Sequence, residues 1–588
     1  MIRVAQHPGP AGDSAVSVAN ADIARELERI ADLLDIEGAN PFRVGAYRRA
    51  ARIVDTLPRG IGEMLAAGQN LDDLPGIGKD LAEKIGTLAA GRPLPMLIEL
   101  ERDVPSGITS LLAIPGLGPK RVHALHEQLG ISDIPGLADA ARAGRLRDLP
   151  GFGATTEAKL LQAATAHMDQ PRRTALRQAE QVAEPLLARL RQIPGVLDAA
   201  VAGSYRRRRE TVGDLDVVVS SRTAAAVIER FLRDPNITKI LEQGPTRASV
   251  MLHGGMQLDL RAVPPVSYGA ALLYFTGSKA HNIVLRRMAV LKGWKLNEYG
   301  IFEGDRRLAG RTEQEIYARL GLSFIPPELR EDQGEVTAAG RAGLPRLVTP
   351  ADLRGDLHAH TTYTDGRATL ADMAEAARAR GYAYLAITDH SRRLAMAHGL
   401  GPRELMRQVT EIRALNKTMR NFVVLASIEV DILEDGRLDL PDAVLRELDV
   451  VVGSVHSQFG LPKLQQTERL IRAMDNRYLD IVGHPTGRLI NSRPPYELDL
   501  TRLLGAARER GCHLEVNAQP DRLDLSDAAC RLAKEAGVKL AISTDAHSVE
   551  ELAFMRYGVD VARRGWLEPD DILNTRAWPD LKALLRQR

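Results

Sequence analysis

The carboxyl-terminal part of the chain repeats one pattern that restricts its fold more than any other feature. Between residues 351 and 588, seven apolar β-like segments alternate with helical ones, and six of the seven end in His, Glu or Asp. Such alternation predicts a parallel sheet, and closure into a distorted TIM-like (β/α)7 barrel would place all strand C-termini at one face. We therefore expect these polar residues to converge, although they are far apart in sequence.

The residues expected to converge are of the types that bind metal ions. The candidate ligands are His358, His360, Asp365, His390, Glu429, His456, His484, Asp545 and His547. One transition metal takes about four to six donors, so the set predicts two or three ions bridged by Asp365 and Glu429, with Mn²⁺, Zn²⁺ or iron favoured over Mg²⁺. The alternative is unrelated structural histidines, but six of the eight histidines after residue 350 fall at strand ends.

A second group of acidic residues lies in the middle of the chain, in a β-rich region. Asp214 and Asp216 in GDLDVVV (213–219) are separated by one residue on a strand, so both side chains point to the same face. Asp259 in MQLDLRAV lies on another strand. Three such carboxylates can hold two Mg²⁺ ions for phosphoryl transfer. The alternative, a solvated acidic face, is disfavoured because LDVVVS is apolar enough to be buried.

Residues 19–171 have helical periodicity and contain a glycine motif three times: LPGIGKD (74–80), IPGLGPK (114–120) and LPGFGAT (149–155). Glycine lets the backbone approach a phosphate, and the start of the following helix presents N–H groups to it. One copy could be a simple turn between helices. Three copies predict helix-hairpin-helix DNA binding.

Bulk composition restricts the class of protein without naming it. The chain has 588 residues, 44% of them hydrophobic, and a formal net charge of +2, so charge alone does not indicate a nucleic-acid partner. Two cysteines, Cys512 and Cys530, exclude a disulfide scaffold. The N-terminus has no signal-peptide core, and no apolar run is long enough to span a membrane. These features favour a cytoplasmic protein.

The motifs HAH…D, TDH, IEVD, GSVH, GHP and TDAH resemble those of the PHP (polymerase and histidinol phosphatase) domain. The nine candidate ligands match that family's ligand positions without a gap. The resemblance implies a metal-dependent phosphoesterase in residues 351–588.

The pattern GS…GDLD…D resembles the nucleotidyltransferase superfamily, and LLYFTGSKAHNIVLRRMA and KGWKLNEYGIF are similar to family X DNA polymerases. The resemblance implies a polymerase palm with Asp214, Asp216 and Asp259 as catalytic, metal-binding acids. It also implies nucleotide or template contacts by Ser204, Arg207, Tyr274, Phe275, Gly277, Asn282 and Arg286. For the aromatic residues the alternative is simple packing. The arginine run 206–209 is expected to contact triphosphate or DNA backbone, and the alternative is a solvated face.

The same resemblance extends to the helical region. The first two glycine motifs match the family's DNA-backbone positions through Gly76, Gly78, Gly116 and Gly118. The Schiff-base lysine of 5′-deoxyribose phosphate lyases in this family aligns with Lys84, and a supporting tyrosine aligns with Tyr47. A phosphate-binding lysine of the family is replaced here by Asp80, for which Arg43 and Lys79 could compensate. The alternative is that Lys84 is an ordinary surface lysine.

Together these features predict a multidomain protein of α+β and α/β classes. The expected parts are a disordered tail (1–18), a lyase-like helical domain (19–92), a second helix-hairpin-helix subdomain (93–171), the palm (172–262), a nucleotide-selection subdomain (263–329), a linker (330–350) and the PHP domain (351–588).

The resemblance implies a monomeric DNA repair polymerase with a 3′→5′ exonuclease, acting on gapped or recessed duplex DNA and deoxynucleoside triphosphates. Its PHP domain could also act as a 3′-phosphatase or abasic endonuclease. Two alternatives are a DNA-end binding protein with an idle palm and a small-molecule phosphatase fused to DNA-binding repeats.

Overall fold

The computed structural model describes residues 20–36, 39–57, 61–66, 68–74, 76–90, 116–169, 173–394 and 397–585, with a few single positions between 94 and 114. They belong to two compact units, residues 1–171 and residues 172–588. The tail expected at residues 1–18 lies outside the described residues. None of the helices in the described ranges is both long and apolar enough to cross a membrane.

The first unit is helical in the parts that the structure describes. Its helices are α1 (Asn20–Ile36), α2 (Pro41–Thr56), α3 (Ile61–Ala66), α4 (Lys79–Ala89), α5 (Pro119–Leu129), α6 (Ile134–Arg142) and α7 (Ala154–Asp169). Apolar side chains recur with helical spacing and form one buried core. As the sequence predicts, each glycine motif leads directly into a helix, namely α4, α5 or α7.

The second unit begins with a five-stranded mixed sheet. Its elements in chain order are β1 (Thr174–Ala175), α8 (Leu176–Gln192), β2 (Val196–Val201), α9 (Gly203–Arg206), β3 (Thr211–Val212), β4 (Asp214–Ser221), α10 (Ala224–Phe231), β5 (Ile237–Gln243), β6 (Arg247–Leu252) and β7 (Gln257–Val263). The strand order is β2-β4-β7-β6-β5, and the central pair β4–β7 is parallel. Strands β1 and β3 form a separate antiparallel pair.

A mixed segment follows, with a small three-stranded antiparallel sheet. Its elements are α11 (Tyr268–Thr276), α12 (Lys279–Leu291), β8 (Lys295–Asn297), β9 (Gly300–Glu303), β10 (Arg306–Ala309), α13 (Glu313–Leu320) and α14 (Glu335–Gly340). Helix α14 lies within the segment expected to be a linker. The Arg330 and Glu335 side chains of that segment are fully buried.

The remaining residues form a seven-stranded parallel sheet in sequential order, surrounded by helices. The elements are β11 (Gly355–Ala359), α15 (Leu370–Ala379), β12 (Tyr384–Ile387), α16 (Pro402–Asn416), β13 (Val423–Asp431), α17 (Asp442–Leu445), β14 (Val450–Ser454), α18 (Lys463–Asp475), β15 (Ile481–Val482), α19 (Leu500–Arg510), β16 (His513–Asn517), α20 (Asp527–Ala536), β17 (Leu540–Ser543), α21 (Met555–Arg564) and α22 (Trp578–Leu584).

The seven strands close into a barrel, as the alternation of strands and helices predicts. Beyond β17, Ala546 pairs in parallel with Ala359 of β11, and His360 N–H donates to the Ala546 carbonyl at 2.8 Å. Most strand residues are buried on both faces because helices cover the outside and side chains fill the inside. This closure brings the first and last strands together at their carboxyl ends.

Candidate active sites

The three central acids lie together on two neighbouring strands. Asp216 of β4 is paired with Asp259 of β7 in the parallel register, and Asp214 lies two residues before Asp216 on the same face. Burial, followed by the charges of Asp214 and Asp259, raises the pKa of Asp216 to about 7. Carboxylates whose charges repel one another in this way favour a divalent cation between them.

A cavity of about 920 Å³ opens beside Asp214 and Asp216, which is large enough for a nucleotide. The sequence-predicted nucleotide contacts all line it: Ser204, Arg207, Tyr274, Phe275, Gly277, Asn282 and Arg286. Asp259 is not among its lining residues. The floor is close-packed, because a Cβ at Gly203, whose φ is +59°, would collide with Asp216 Oδ2.

The side chains around this cavity are already ordered by one another. The Tyr274 and Phe275 rings meet edge to face at 5.1 Å, and the Arg286 guanidinium lies 5.0 Å from the Tyr274 ring centre. Asn282 Nδ2 donates to the Tyr274 carbonyl at 2.7 Å. Arg207 Nε donates to Glu331 Oε1 at 3.0 Å.

Sequence reasoning missed several residues that line the same cavity. These residues are Arg173, Lys279, Ile283 and Glu331, whereas Arg209, which also lines the cavity, belongs to the predicted arginine run. Lys279 follows Ser278 at the start of α12. Arg173 and Glu331 carry no local sequence signal, because they reach the cavity only through the tertiary fold.

The nine candidate ligands of the barrel meet at its carboxyl-terminal face. Glu429 is the central acid: its Oε1 lies 3.0 Å from His484 Nε2 and 3.2 Å from His456 Nε2. Asp365 Oδ2 lies 3.3 Å from His390 Nε2 and 3.4 Å from His547 Nε2. Ligand atoms within 4.8 Å of one another form three groups: His360, Asp365, His390 and His547; His358, His360 and Asp545; His390, Glu429 and His456.

The chemistry of this cluster suits two or three transition-metal ions. Several of its buried polar atoms have no hydrogen-bond partner, among them His358 Nε2, His360 Nδ1 and Glu429 Oε2. Burial alone would lower the pKa of His390 and His456, but the Glu429 carboxylate raises these values to about 9 and about 10. Orphaned imidazole nitrogens that face shared carboxylates are the arrangement expected of bridged metal ions.

Further buried acids orient the histidines from behind. Glu515 Oε1 lies 2.7 Å from His358 Nδ1, and its other oxygen accepts from the His484 N–H at 2.7 Å. Asp431 Oδ1 lies 3.0 Å from His456 Nδ1. Carboxylates that hold the second ring nitrogen fix the orientation of a ligating histidine. Sequence reasoning did not select them, although IEVD (428–431) places Asp431 two residues after the candidate ligand Glu429 and LEVN (514–517) places Glu515 on another barrel strand.

The first two glycine motifs share one backbone geometry in the helical unit. Gly76 and Gly116 both have φ of +91°, and the third motif repeats it with Gly151 at +84°. Gly78 and Gly118 are the N-caps of α4 and α5, and a Cβ at either would meet nothing within 4 Å. The space beside each of these helix starts is therefore open, as backbone phosphate contact requires.

Lys84 lies close to Tyr47, the supporting residue that the sequence predicts for it, and to Asp80, which replaces a lysine of the family. It forms an ion pair with Asp80 one turn earlier, and its Nζ is 6.0 Å from the Tyr47 ring centre. Burial lowers the pKa of Lys84, but the hydrogen bond that Lys84 donates to Asp80 and the contributions of Tyr47 together outweigh burial, so the net shift is upward. A Schiff-base lysine must be neutral to attack, so this ion pair opposes lyase chemistry.

Comparisons with protein families match the whole order of domains. A helix-hairpin-helix domain matches residues 18–91, and a SAM-like helix-hairpin-helix tandem matches residues 108–166. The DNA polymerase beta palm matches residues 171–252, and the DNA polymerase beta thumb matches residues 271–331. The PHP domain matches residues 356–519.

Two curated relatives and one solved structure are similar to all or part of the chain. The DNA polymerase/3′-5′ exonuclease PolX of Bacillus subtilis (strain 168) is 40% identical over 570 residues, covering 96% of this chain and 99% of that one. A probable phosphatase of Thermoanaerobacter sp. (strain X514) is 31% identical over 232 residues, 37% of this chain and 89% of that one. A solved ternary complex of Leishmania infantum polymerase beta is 23% identical over 38% of this chain and 98% of that one, with a TM-score of 0.27.

Proposed function

Because the chain belongs to the PolX family of DNA polymerase/3′-5′ exonucleases, we propose that its palm adds nucleotides to a primer on a DNA template and that its barrel removes them from the 3′ end. The observation that carries the proposal is the cavity in which Asp214 and Asp216 face every predicted nucleotide contact. A separate cluster of nine ligands in the barrel supplies the hydrolytic site.

In nucleotide addition, the primer 3′-oxygen joins the α-phosphorus of the triphosphate and pyrophosphate leaves. Two Mg²⁺ ions held by Asp214, Asp216 and Asp259 would offset the charge that develops on the phosphate oxygens. Ser204 and Arg207 bind the triphosphate. Tyr274 and Phe275 lie under the sugar, with Gly277 at the turn that follows them. The two remaining contacts, Asn282 and Arg286, reach the base pair and template.

In the barrel, two or three Mn²⁺ or Zn²⁺ ions bound by the nine ligands would activate water and bind the oxygens of a phosphodiester. Glu429 and Asp365 would be shared between the ions, and Glu515 and Asp431 hold the histidines that would bind them. The same chemistry extends to 3′-phosphate removal and cleavage at abasic sites, since each is phosphoester hydrolysis.

We place the protein in the cytoplasm, as a monomer that fills short gaps during DNA repair. The helix starts after Gly76, Gly78, Gly116 and Gly118 would bind DNA backbone on either side of a gap, in the manner of helix N-termini that bind phosphate. Lys84 is the residue that would carry 5′-deoxyribose phosphate lyase activity, subject to its ion pair with Asp80.

One assay tests both activities. The full chain is incubated with one-nucleotide-gapped DNA and triphosphates, in Mg²⁺ and in Mn²⁺ separately, and the primer is followed for extension and shortening. We expect extension in both ions and 3′ shortening chiefly in Mn²⁺. A primer that is shortened but never extended would support the alternative, a DNA-end nuclease with an idle palm. Faster turnover of histidinol phosphate than of a recessed 3′ end would support a small-molecule phosphatase.

A further inference from the structure

One helix of the barrel, α21, lies against the palm through ion pairs and hydrogen bonds. It contributes Arg556, Tyr557, Asp560 and Arg564 to this contact, and the palm contributes Glu180, Arg207 and Arg208. None of these α21 residues is among the nine candidate metal ligands. The contact therefore joins the barrel to the segment that carries the predicted triphosphate-binding residues Ser204 and Arg207.

Arg208 is the centre of this contact. It has a positive φ of 55°, in the left-handed region that a residue with a side chain rarely adopts. Its guanidinium donates to Glu180 Oε1 at 2.7 Å and to Asp560 Oδ2 at 2.8 Å, and its side chain is 19% exposed. Because such backbone persists only when its surroundings hold it, Glu180 and Asp560 stabilise the turn that follows α9.

Glu180 is itself shared with α21. Its Oε2 accepts from Arg556 Nη2 at 2.6 Å and from the Tyr557 hydroxyl at 2.6 Å. Asp560, in contrast, contacts one cation, Arg208, among the contacts described for this network. Removal of the Asp560 charge would leave Arg208 with a single carboxylate that has other donors to satisfy.

Arg564 makes a second connection, this one directly behind Arg207. Its Nη1 donates to the Arg207 carbonyl at 2.8 Å and lies 3.2 Å from Glu331 Oε1, while its Nη2 donates to Asp527 at 2.6 Å. Glu331 Oε1 is the same atom that accepts from Arg207 Nε. Arg564 of the barrel thus contacts the Arg207 backbone directly and is connected to the Arg207 side chain through Glu331.

Close packing against the barrel strands fixes the position of helix α21. Gly558 faces the barrel strands so closely that a Cβ there would lie 2.5 Å from Ile542 Cγ2 and 2.9 Å from Ala518 Cβ. A helix packed this tightly cannot shift without opening the core. Its polar face, with Asp560 and Arg564, is consequently fixed relative to the barrel.

We propose that α21 of the PHP domain positions the triphosphate-binding segment of the palm, with Asp560 and Arg564 as positioning residues for nucleotide addition. The proposal rests on the proposed function of the palm. Ion pairs that merely join two domains would affect stability alone. Positioning of Arg207 predicts a specific loss of triphosphate binding while the protein remains folded.

The experiment uses the full chain with Asp560→Asn. We expect the apparent KM for the incoming nucleotide to rise about 10-fold, because small misplacements of a binding group cost about that much or more. The KM for DNA and the rate of 3′ shortening should stay within about 2-fold of wild type. Asp475→Asn is the matched control, since Asp475 pairs with Arg510 on the barrel surface at 2.6 Å; it should change none of these values.

A second variant covers the case in which Asp560→Asn fails to fold. Tyr557→Phe removes only the hydroxyl that donates to Glu180, and it should raise the nucleotide KM about 2- to 3-fold while lowering the melting temperature by only a few degrees. An unchanged nucleotide KM in each variant that folds would overturn the positioning role. A wild-type chain that extends no primer would instead overturn the proposed function, so the two failures are distinguishable.

Discussion

Asp216 of β4 and Asp259 of β7 are register partners in a parallel pair at the centre of the palm sheet. The third acid, Asp214, shares the face of Asp216, so three carboxylates are concentrated at one end of two strands. Ser249 and Gln257 donate hydrogen bonds to Asp259 and fix its orientation. The triad is thus built from regular strands and does not depend on a loop for its geometry.

We predict that Asp259→Asn lowers primer extension at least about 100-fold, because loss of a metal ligand removes several kcal/mol of transition-state stabilisation. The 3′ exonuclease should be unchanged. Asp198→Asn is the control, since Asp198 is an exposed aspartate on the neighbouring strand β2. Extension by the Asp259 variant at the wild-type rate would contradict the assignment of the triad.

The barrel should lose its metal and its exonuclease together. We expect the double variant His358→Ala/His360→Ala to bind at least one ion fewer per chain, measured by elemental analysis, and to stop shortening 3′ ends in Mn²⁺. Both side chains are fully buried among the other ligands, so water cannot simply take their place. Extension should persist. His253→Ala, at an exposed palm position, serves as the control.

Binding of gapped DNA should depend on the backbone of the first glycine motif. Gly76→Val places a β-branched residue at φ +91° and should weaken binding of gapped DNA about 10-fold, with less effect on a simple primer–template. Gly68→Val imposes similar strain at φ +72° outside the motif. Fluorescence anisotropy measures the affinity of each variant for both DNAs. If Gly76→Val loses equal affinity for gapped DNA and for the primer–template, the motif has no specific role in binding a gap.

Lyase chemistry should improve when the ion pair of Lys84 is removed. Asp80→Asn takes away the carboxylate that raises the pKa of Lys84, so more of the amine is neutral near pH 7. We expect more borohydride-trapped adduct with 5′-deoxyribose phosphate DNA than for the wild type. If neither protein forms a trapped adduct, the result would support the alternative that Lys84 is an ordinary surface lysine without lyase activity. Asp72→Asn, an exposed acid of the same unit, is the control.

Acid should weaken one buried ion pair between the palm and the segment that follows it. Burial would raise the pKa of Glu313, but Arg206 and Arg330 lower it to about 2, from 4.5. A depressed folded-state pKa contributes stability above about pH 4.5 that is lost as pH falls towards about 2. We expect Glu313→Gln to cost about 3 kcal/mol of unfolding free energy near neutral pH.

The pH dependence provides the check on that assignment. In denaturant titrations at several pH values, the difference between wild type and Glu313→Gln should shrink steadily below about pH 4.5. The control Glu303→Gln breaks a surface pair with Arg306 and should cost under about 1 kcal/mol at any pH. A difference that stays constant with pH would show that the Glu313 carboxylate is not the titrating group.

The sequence predicts the site residues where chemistry and strand geometry coincide. His358 and His360 are predicted because they end a strand, and Asp214 and Asp216 because their spacing matches the pleat. It does not find Glu331, whose approach to Arg207 joins segments 124 residues apart. Such contacts are set by tertiary packing and leave no local pattern.

The polarity of residues 330–350, which precede the barrel, does not predict how deeply some of their side chains are buried. Residues 330–350 are polar enough in sequence to indicate a linker, yet Arg330 and Glu335 are fully buried. Arg330 pairs with Glu313 at 2.6 Å, and Glu335 lies 2.7 Å from His281 Nδ1. Charges neutralised by partners elsewhere in the chain cannot be distinguished from solvated ones by composition.

Closure of the barrel between β11 and β17 also sets the order in which the two sites come into being during synthesis. The palm triad is complete once residue 259 has left the ribosome, whereas the metal cluster needs His358 from the first strand and His547 after the last. Because domains generally fold from the N-terminus as the chain emerges, a truncated product ending before residue 545 would carry the palm acids without a finished metal centre. A chain must therefore be translated past residue 547 to hold both sites.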